Sequence, residues 1–137
     1  MSLMENCEAI VQALRQHTSF DVTRKNVLLQ SLSDDAQQRG IYILVSKGES
    51  DLKDYAFKSA TDGTQVFILT GQKLIPDCAD PTELENTEFE MIEEIKGLMN
   101  NLPDGIQGLS MKSFQQSMQL DSPVAWVIVN LELSFNE

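Results

Sequence analysis

Residues 124–135 read VAWVIVNLELSF, and this stretch decides the fold class. Every second side chain is apolar without a break, which is the pattern of a β-strand with one buried face. The buried series comprises Ala125, Val127, Val129, Leu131, Leu133 and Phe135. Fully extended, the stretch would span about 40 Å, which exceeds the usual strand of about five or six residues. We therefore predict a long strand whose far end pairs outside its own sheet.

Two amphipathic helices are predicted to cover this sheet. The first ends near Thr18, and its apolar stripe has helical spacing: Leu3, Cys7, Ile10, Val11 and Leu14. The second begins at the capping sequence Asp80-Pro81-Thr82-Glu83 and ends before Pro103. Its predicted core residues are Leu84, Met91, Ile92, Ile95, Leu98, Met99 and Leu102. Its remaining surface is predicted to be acidic, with Glu83, Glu85, Glu88, Glu90, Glu93 and Glu94.

Strands are predicted between the helices. Residues 41–45 read IYILV and end before Gly48, which is typical of a strand buried on both faces. The preceding segment is ambiguous. Val22 and residues 27–29 favour a strand, whereas residues 31–40 are polar and indicate a loop. The number of strands before residue 41 therefore stays open at this point.

A hairpin follows, with strands at residues 52–58 and 64–70. Thr61-Asp62-Gly63 is its predicted turn, because glycine tolerates the positive φ of tight hairpins. Residues 108–119 are polar and alternate weakly, which indicates an exposed or partner-facing strand. We predict a single α+β domain over residues 1–137, with an antiparallel sheet, two helices on one face and the order α-β-β-β-β-α-β-β.

Length and charge exclude several classes of protein. A chain of 137 residues suits one domain, and its opening Met1-Ser2-Leu3 before Met4 is interpreted as a cloning scar. Ten basic and 21 acidic residues give a net charge of −11, which opposes binding to nucleic acid. No apolar run approaches the roughly 20 residues of a membrane span, and no secretory signal pattern is present. We expect a cytoplasmic protein that binds neither membranes nor specific nucleic-acid sequences.

Residues suited to catalysis are few. His17 is the only histidine, so histidine-based triads and the common zinc sites are not available. The glutamates of the second helix lack the spacing of a calcium loop, and the glycines form no phosphate-binding loop. Cys7 and Cys78 are isolated thiols. We expect no enzyme activity, no cofactor and no metal. The alternative, an enzyme using His17 or the helix carboxylates, requires a pocket that gathers those groups.

The order of elements resembles the small tail-terminator proteins, also called neck or tail-completion proteins, of long-tailed phages and prophages of the lambda and Mu-like type. The resemblance spans nearly the whole chain and is one of pattern. It rests on the helix at 7–14, the strand and turn at 41–48, the turn and strand at 61–69, the long helix at 82–101 and the strand at 126–135. The polar segment 31–39 is longer than the connection expected in that family.

The resemblance implies a homohexameric ring that caps the tail tube and joins it to the head. Its partners would be other copies of the chain, tail-tube proteins and head–neck proteins, in the host cytoplasm during assembly and then in the virion tail. DNA would pass through the ring, and an acidic lumen would repel it. By position, we expect contacts from the 46–64 loop, the 108–119 strand and the terminal strand. The candidate interface residues are Tyr55, Phe57, Met111, Met118, Leu133 and Phe135.

A second interpretation is a small acidic secretion-type chaperone that binds a partner polypeptide. Such chaperones are dimers that usually close with a C-terminal helix, whereas this chain is predicted to close with a strand. The particle mass separates the two classes, because a dimer favours the chaperone and a six-fold ring favours the tail terminator.

Overall fold

The computed structural model of the chain describes residues 2–54 and 61–134. Within these residues, three helices and five strands form the fold, and the predicted α+β class is confirmed. The elements are α1 (Leu3–His17), β1 (Asp21–Thr23), α2 (Asp34–Arg39), β2 (Ile41–Asp54), β3 (Thr61–Leu74), α3 (Thr82–Met99), β4 (Leu109–Gln116) and β5 (Val124–Leu133). Short 3-10 turns occur at Leu29–Ser31 and Asp104–Ile106.

The strands form one sheet in the order β1-β2-β3-β5-β4. Strand β1 runs parallel to β2, and the other neighbours are antiparallel, so the sheet is mixed instead of wholly antiparallel. Strand β5 lies inside the sheet, where Leu133 pairs with both Gln65 and Leu109. The prediction that its far end pairs outside the sheet is therefore wrong for the strand as far as Leu133.

Strands β2 and β3 form the predicted hairpin, but its turn is not where the sequence placed it. Strand β2 continues through Gly48, which takes a φ of 122° at a register shift after Ser46. The two strands predicted at 41–45 and 52–58 are thus one strand as far as residue 54. Thr61 and Asp62 pair with β2, so the predicted turn at 61–63 is wrong.

Val22 lies in β1, in agreement with the strand interpretation, whereas the segment between β1 and β2 packs on the sheet instead of pairing along it. Leu29 forms a second, smaller core with Ile41 and Ile43 on the sheet face opposite the long helices. The predicted strand at residues 27–29 is wrong: Leu29 and part of Val27 pack on that face, where they lose solvent contact, whereas Leu28 stays 68% exposed. The predicted polar loop contains α2, whose N-cap Ser33 accepts the N–H of Ala36 at 3.2 Å.

Both long helices cover the other face, as predicted, and they enclose the main core. Helix α1 begins with a capping box between Ser2 and Glu5. The stripes predicted for α1 and α3 contribute their buried residues, together with the inward residues of β2, β3 and β5: Cys7, Ile10, Val11, Leu14, Leu84, Met91, Ile92, Ile95, Leu98, Tyr42, Leu44, Phe67, Leu69, Ala125, Val127, Val129, Leu131 and Leu133. The hydroxyl of Tyr42 donates to Glu94 Oε1 at 2.8 Å, and the Tyr42 ring stacks on Phe20.

Candidate docking surface

Strand β4 is an edge of the sheet, and its outer side pairs with no other strand among the described residues. Helix α3 packs beside it. Apolar side chains that are exposed or only half-buried lie along this side of the molecule, with two lysines between them. We call this the β4 edge surface; it comprises Phe89, Lys96, Met99, Met111, Lys112, Phe114, Met118 and Leu120.

The backbone of β4 explains why its side chains are presented in this way. A register shift between Met111 and Ser113 marks a β-bulge, after which Phe114 lies opposite the buried Val129. Phe114 therefore points to the helix side, where the ammonium of Lys96 lies 5.8 Å from its ring centroid. Because no element lies beyond β4 in the described chain, Phe114 stays 38% exposed. Phe89 lies two turns before Lys96 on the same side of α3 and is 45% exposed.

The loop between β4 and β5 displays the two most exposed large apolar side chains of the described residues. Met118 and Leu120 are each 74% exposed. Met118 and Gln119 adopt left-handed backbone conformations, with φ of 58° and 61°. The loop is held by its own hydrogen bonds: Leu120 N to Ser117 O, Gln119 N to Ser117 Oγ and Val124 N to Asp121 O. The loop therefore holds these two side chains in a defined position.

A buried carboxylate anchors the same loop to α3. Glu88 is 1% exposed, so its predicted place on the acidic surface is wrong. Its Oε1 accepts the N–H of Ser117 at 3.3 Å and the Gln116 side-chain amide at 3.4 Å. Its Oε2 accepts the N–H of Trp126 at 3.2 Å and the Ser117 hydroxyl. The two backbone N–H groups lie beyond the last residue pair of the β4–β5 strand pairing, so no strand carbonyl accepts them there. The Glu88 carboxylate accepts their hydrogen bonds instead.

The sequence contains a signal for the burial of Glu88 that the prediction missed. Glu88 follows Leu84 by four residues and precedes Met91 and Ile92 by three and four. It therefore lies within the apolar stripe of α3, and helical spacing alone places it at the core. Glu94, also predicted to be on the acidic surface, is partly buried and accepts the Tyr42 hydroxyl.

An open groove lies at the other end of β4. It has a volume of about 500 Å³ and is lined by Lys96, Met99, Asn100, Leu109, Ser110 and Met111. Its apolar wall is formed by the last turn of α3 and the first residues of β4. The groove is lined by the first three residues of β4, so residues 112–116 separate it from the β4–β5 loop, and the strand from Met111 to Ser117 spans roughly 20 Å.

The predicted interface residues do not all lie on the surface. Met111 and Met118 both lie on the β4 edge surface. Leu133 is fully buried in the core, so it is not a surface contact residue, and the inward alternation of β5 is the reason. Tyr55, Phe57 and Phe135 lie outside the described residues. In the predicted 46–64 contact region, Leu52 is 57% exposed.

The residues considered for catalysis are dispersed. His17 is exposed at the end of α1 beside Gly97. Burial raises the pKa of the Cys7 thiol, and the Cys78 thiol donates to Asp80 O at 3.3 Å. Among residues 2–54 and 61–134, no group of three or more His, Cys, Asp or Glu side chains could hold a metal ion.

A second open groove, of about 380 Å³, contains Lys73, Glu83 and Glu90 among its lining residues. His17 is not among them, so this groove does not gather the imidazole with the helix carboxylates. In the described part of the chain, no helix has the length and apolar character needed to cross a bilayer. Compared with known proteins, the chain matches no protein-family model and no curated protein sequence.

Proposed function

We propose that this chain is a structural tail protein of a long-tailed phage or prophage. In this proposal it is a tail terminator, whose copies form a ring that caps the tail tube and joins it to the head. The resemblance to that family implies that the ring contains six copies. The observation that carries the proposal is the β4 edge surface. A small domain with a net charge of −11 exposes apolar side chains along one edge and fixes two of them on an ordered loop.

That combination favours a role in subunit assembly over a role as an enzyme. A contiguous series of exposed apolar side chains bordered by polar residues is typical of a protein–protein contact site. The buried Glu88 supports the same interpretation, because it fixes the loop that carries Met118 and Leu120. Fixing these side chains before binding lowers the conformational entropy lost when a partner covers them.

The charge supports the role of a ring through which DNA passes. With 21 acidic and 10 basic residues, the chain repels a polyanion, and the effect extends over about a Debye length at physiological salt. Exposed carboxylates on α3, at Glu83, Glu90 and Glu93, contribute to this field. A ring with such a field would let DNA pass without retaining it.

The particle mass tests the ring. Sedimentation velocity from micromolar to near-millimolar concentration should give a species about six times the 15.3 kDa chain mass. Electron microscopy should show a ring with a central hole. A strictly monomeric particle at the highest concentration would contradict the proposal, and a stable dimer would favour the secretion-type chaperone.

A second measurement tests the assignment to a phage tail. The chain should be mixed with assembled tail tubes of a long-tailed phage of the lambda or Mu-like type, and the tubes imaged. A tail terminator should bind at tube ends and not along tube walls. If rings form normally but never bind such tubes, the proposed ring assembly stands and the assignment to a phage tail is refuted.

A further inference from the structure

We propose that copies of this chain dock head to tail, with Met118 and Leu120 of one copy entering the groove formed by Met99, Leu109 and Met111 of the next. This inference rests on the proposed function, because it requires that the chain assemble with itself. It adds the two surfaces that meet and their relative orientation.

The loop has the properties of an inserting element. Met118 and Leu120 project from it with 74% of their surface exposed. The bonds to Glu88 fix the start of the loop at Ser117 and the first residues of backbone after the loop, at Trp126 in β5. In addition, the indole N–H of Trp126 donates to Asp121 Oδ2 at 2.6 Å. The two apolar side chains are therefore held between anchored ends.

The groove has the matching properties of a receiving site. Its volume of about 500 Å³ is large enough for two aliphatic side chains, and Met99, Leu109 and Met111 give it an apolar wall. Methionine adapts to the shape of an inserted group because its side chain is unbranched and flexible. The loop of the same copy cannot fill this groove, because β4 holds the two apart at its opposite ends.

Charge favours a second copy of this chain as the occupant. Lys96 lines the groove and Lys112 follows Met111, whereas Asp121 follows Leu120 in the inserting loop. The ion pairs within the described residues are Arg24 with Glu8 and Arg39 with Asp21. Lys96, which lies over the Phe114 ring, and Lys112, which follows the groove residue Met111, are therefore not paired with a carboxylate there. Docking would bring Asp121 of one copy towards these lysines of the next. In so acidic a chain, this local pairing offsets the general repulsion between copies.

The backbone of β4 argues against the simplest competing contact, in which two β4 edges extend the sheet. The bulge between Met111 and Ser113 interrupts the regular ladder, and Lys112 lies on the exposed edge at that point. Both features oppose strand addition at sheet edges. If the loop of each copy enters the groove of the next in one direction around an axis, the contact closes into a ring, whereas a reciprocal contact in which each loop enters the other's groove stops at a dimer.

Two sets of variants test the contact. Met118→Asn combined with Leu120→Ser removes the apolar groups, and asparagine suits the left-handed backbone at residue 118. This pair should raise the dissociation constant between copies about a hundredfold. Leu28→Ser is the matched control, because Leu28 is 68% exposed on the segment that covers the opposite sheet face. The control should assemble like the natural chain.

Cross-linking tests the orientation. In a Cys78→Ser background, Met111→Cys and Leu120→Cys chains are prepared separately, mixed and treated with a short bis-maleimide. The mixture should give cross-linked pairs containing one chain of each kind, and neither chain alone should cross-link. A chain carrying both Met111→Cys and Leu120→Cys should give cross-linked products longer than two chains, whereas products that stop at the dimer would indicate a reciprocal two-fold contact and overturn the inference.

The same experiments separate this inference from the proposed function. If the Met118 and Leu120 variants form normal rings and the mixed chains do not cross-link, the head-to-tail contact is wrong while the ring stands. If the natural chain is monomeric at all concentrations, both the ring and the contact are refuted.

Discussion

Replacing Glu88 by alanine should destabilise the domain more than any other change of a glutamate on α3. The substitution leaves the N–H groups of Ser117 and Trp126 without their acceptor, together with the Ser117 hydroxyl. A buried donor without a partner costs about 1–3 kcal/mol. The hydroxyl can rotate towards another acceptor, so we count only the two backbone groups. The expected loss in the free energy of unfolding is about 3 kcal/mol, a large share of the 5–15 kcal/mol typical of a domain.

Glu88→Gln should have a smaller effect because its side chain has the same shape. Its remaining oxygen can accept from one pair of donors, either the Ser117 N–H with the Gln116 amide or the Trp126 N–H with the Ser117 hydroxyl, whereas its NH₂ group faces the other pair. We expect a loss of about 1.5 kcal/mol from this mismatch. The order of stability is therefore natural chain, Glu88→Gln and then Glu88→Ala.

Urea unfolding followed by fluorescence provides the measurement. Trp126 is the only tryptophan, and its backbone N–H is bonded to Glu88, so its emission reports on this part of the fold. The matched control is Glu93→Ala, an exposed glutamate on the same helix, which should change stability by less than about 0.5 kcal/mol. If Glu88→Ala were as stable as this control, the carboxylate would not be the anchor of the loop.

Three further substitutions test the core. The pKa of the Tyr42 hydroxyl is raised above its ordinary value of 10.0, mainly by burial and secondly by the nearby Glu94 carboxylate. The neutral hydroxyl therefore contributes its full stability below pH 10, and this contribution is lost as the pH rises further. Tyr42→Phe should cost about 1–2 kcal/mol at neutral pH; equal slopes of stability against pH above 10 for both chains would contradict this account. Gly71→Ala should lower the free energy of unfolding by about 1–3 kcal/mol, because its Cβ would lie 2.8 Å from the Tyr42 ring, and a urea midpoint equal to that of the natural chain would refute the clash. Gly97→Ala should be neutral or stabilising by up to about 1 kcal/mol in thermal unfolding, because its Cβ meets only the exposed His17 ring, which can move, and a clear loss would show that this ring is fixed.

The parts of the fold that the sequence predicts well depend on local spacing. Most of the stripes of α1 and α3 and the inward series of β5 as far as Leu133 are confirmed, because helical and strand periods are visible within a few residues. The exceptions are Leu3, which is 53% exposed, Met99, which is only partly buried, and the buried Glu88. The position of β5 between β3 and β4 was not predictable in this way. Strand pairing joins residues distant in the chain, and an alternating pattern looks the same in an inner strand as in an edge strand.

The segment before β2 shows a second limit. Leu29 and its aliphatic neighbours have the composition of a strand, yet they cover a sheet face. Whether such residues pair along a sheet or pack on it depends on which face the rest of the chain leaves open. The candidate docking surface was partly predictable. The polar strand containing Met111 was identified, whereas the left-handed backbone at Met118 and the anchor at Glu88 depend on tertiary contacts.

Hydrogen–deuterium exchange at several protein concentrations tests most directly whether copies of this chain meet at the β4 edge surface. Dilution below the assembly threshold should speed exchange in the peptides covering residues 109–120 and 96–100. The peptide covering residues 24–33, on the opposite sheet face, should exchange at the same rate throughout. The account would be contradicted if the mass showed assembly while protection changed at residues 24–33 and not along β4 and its loop.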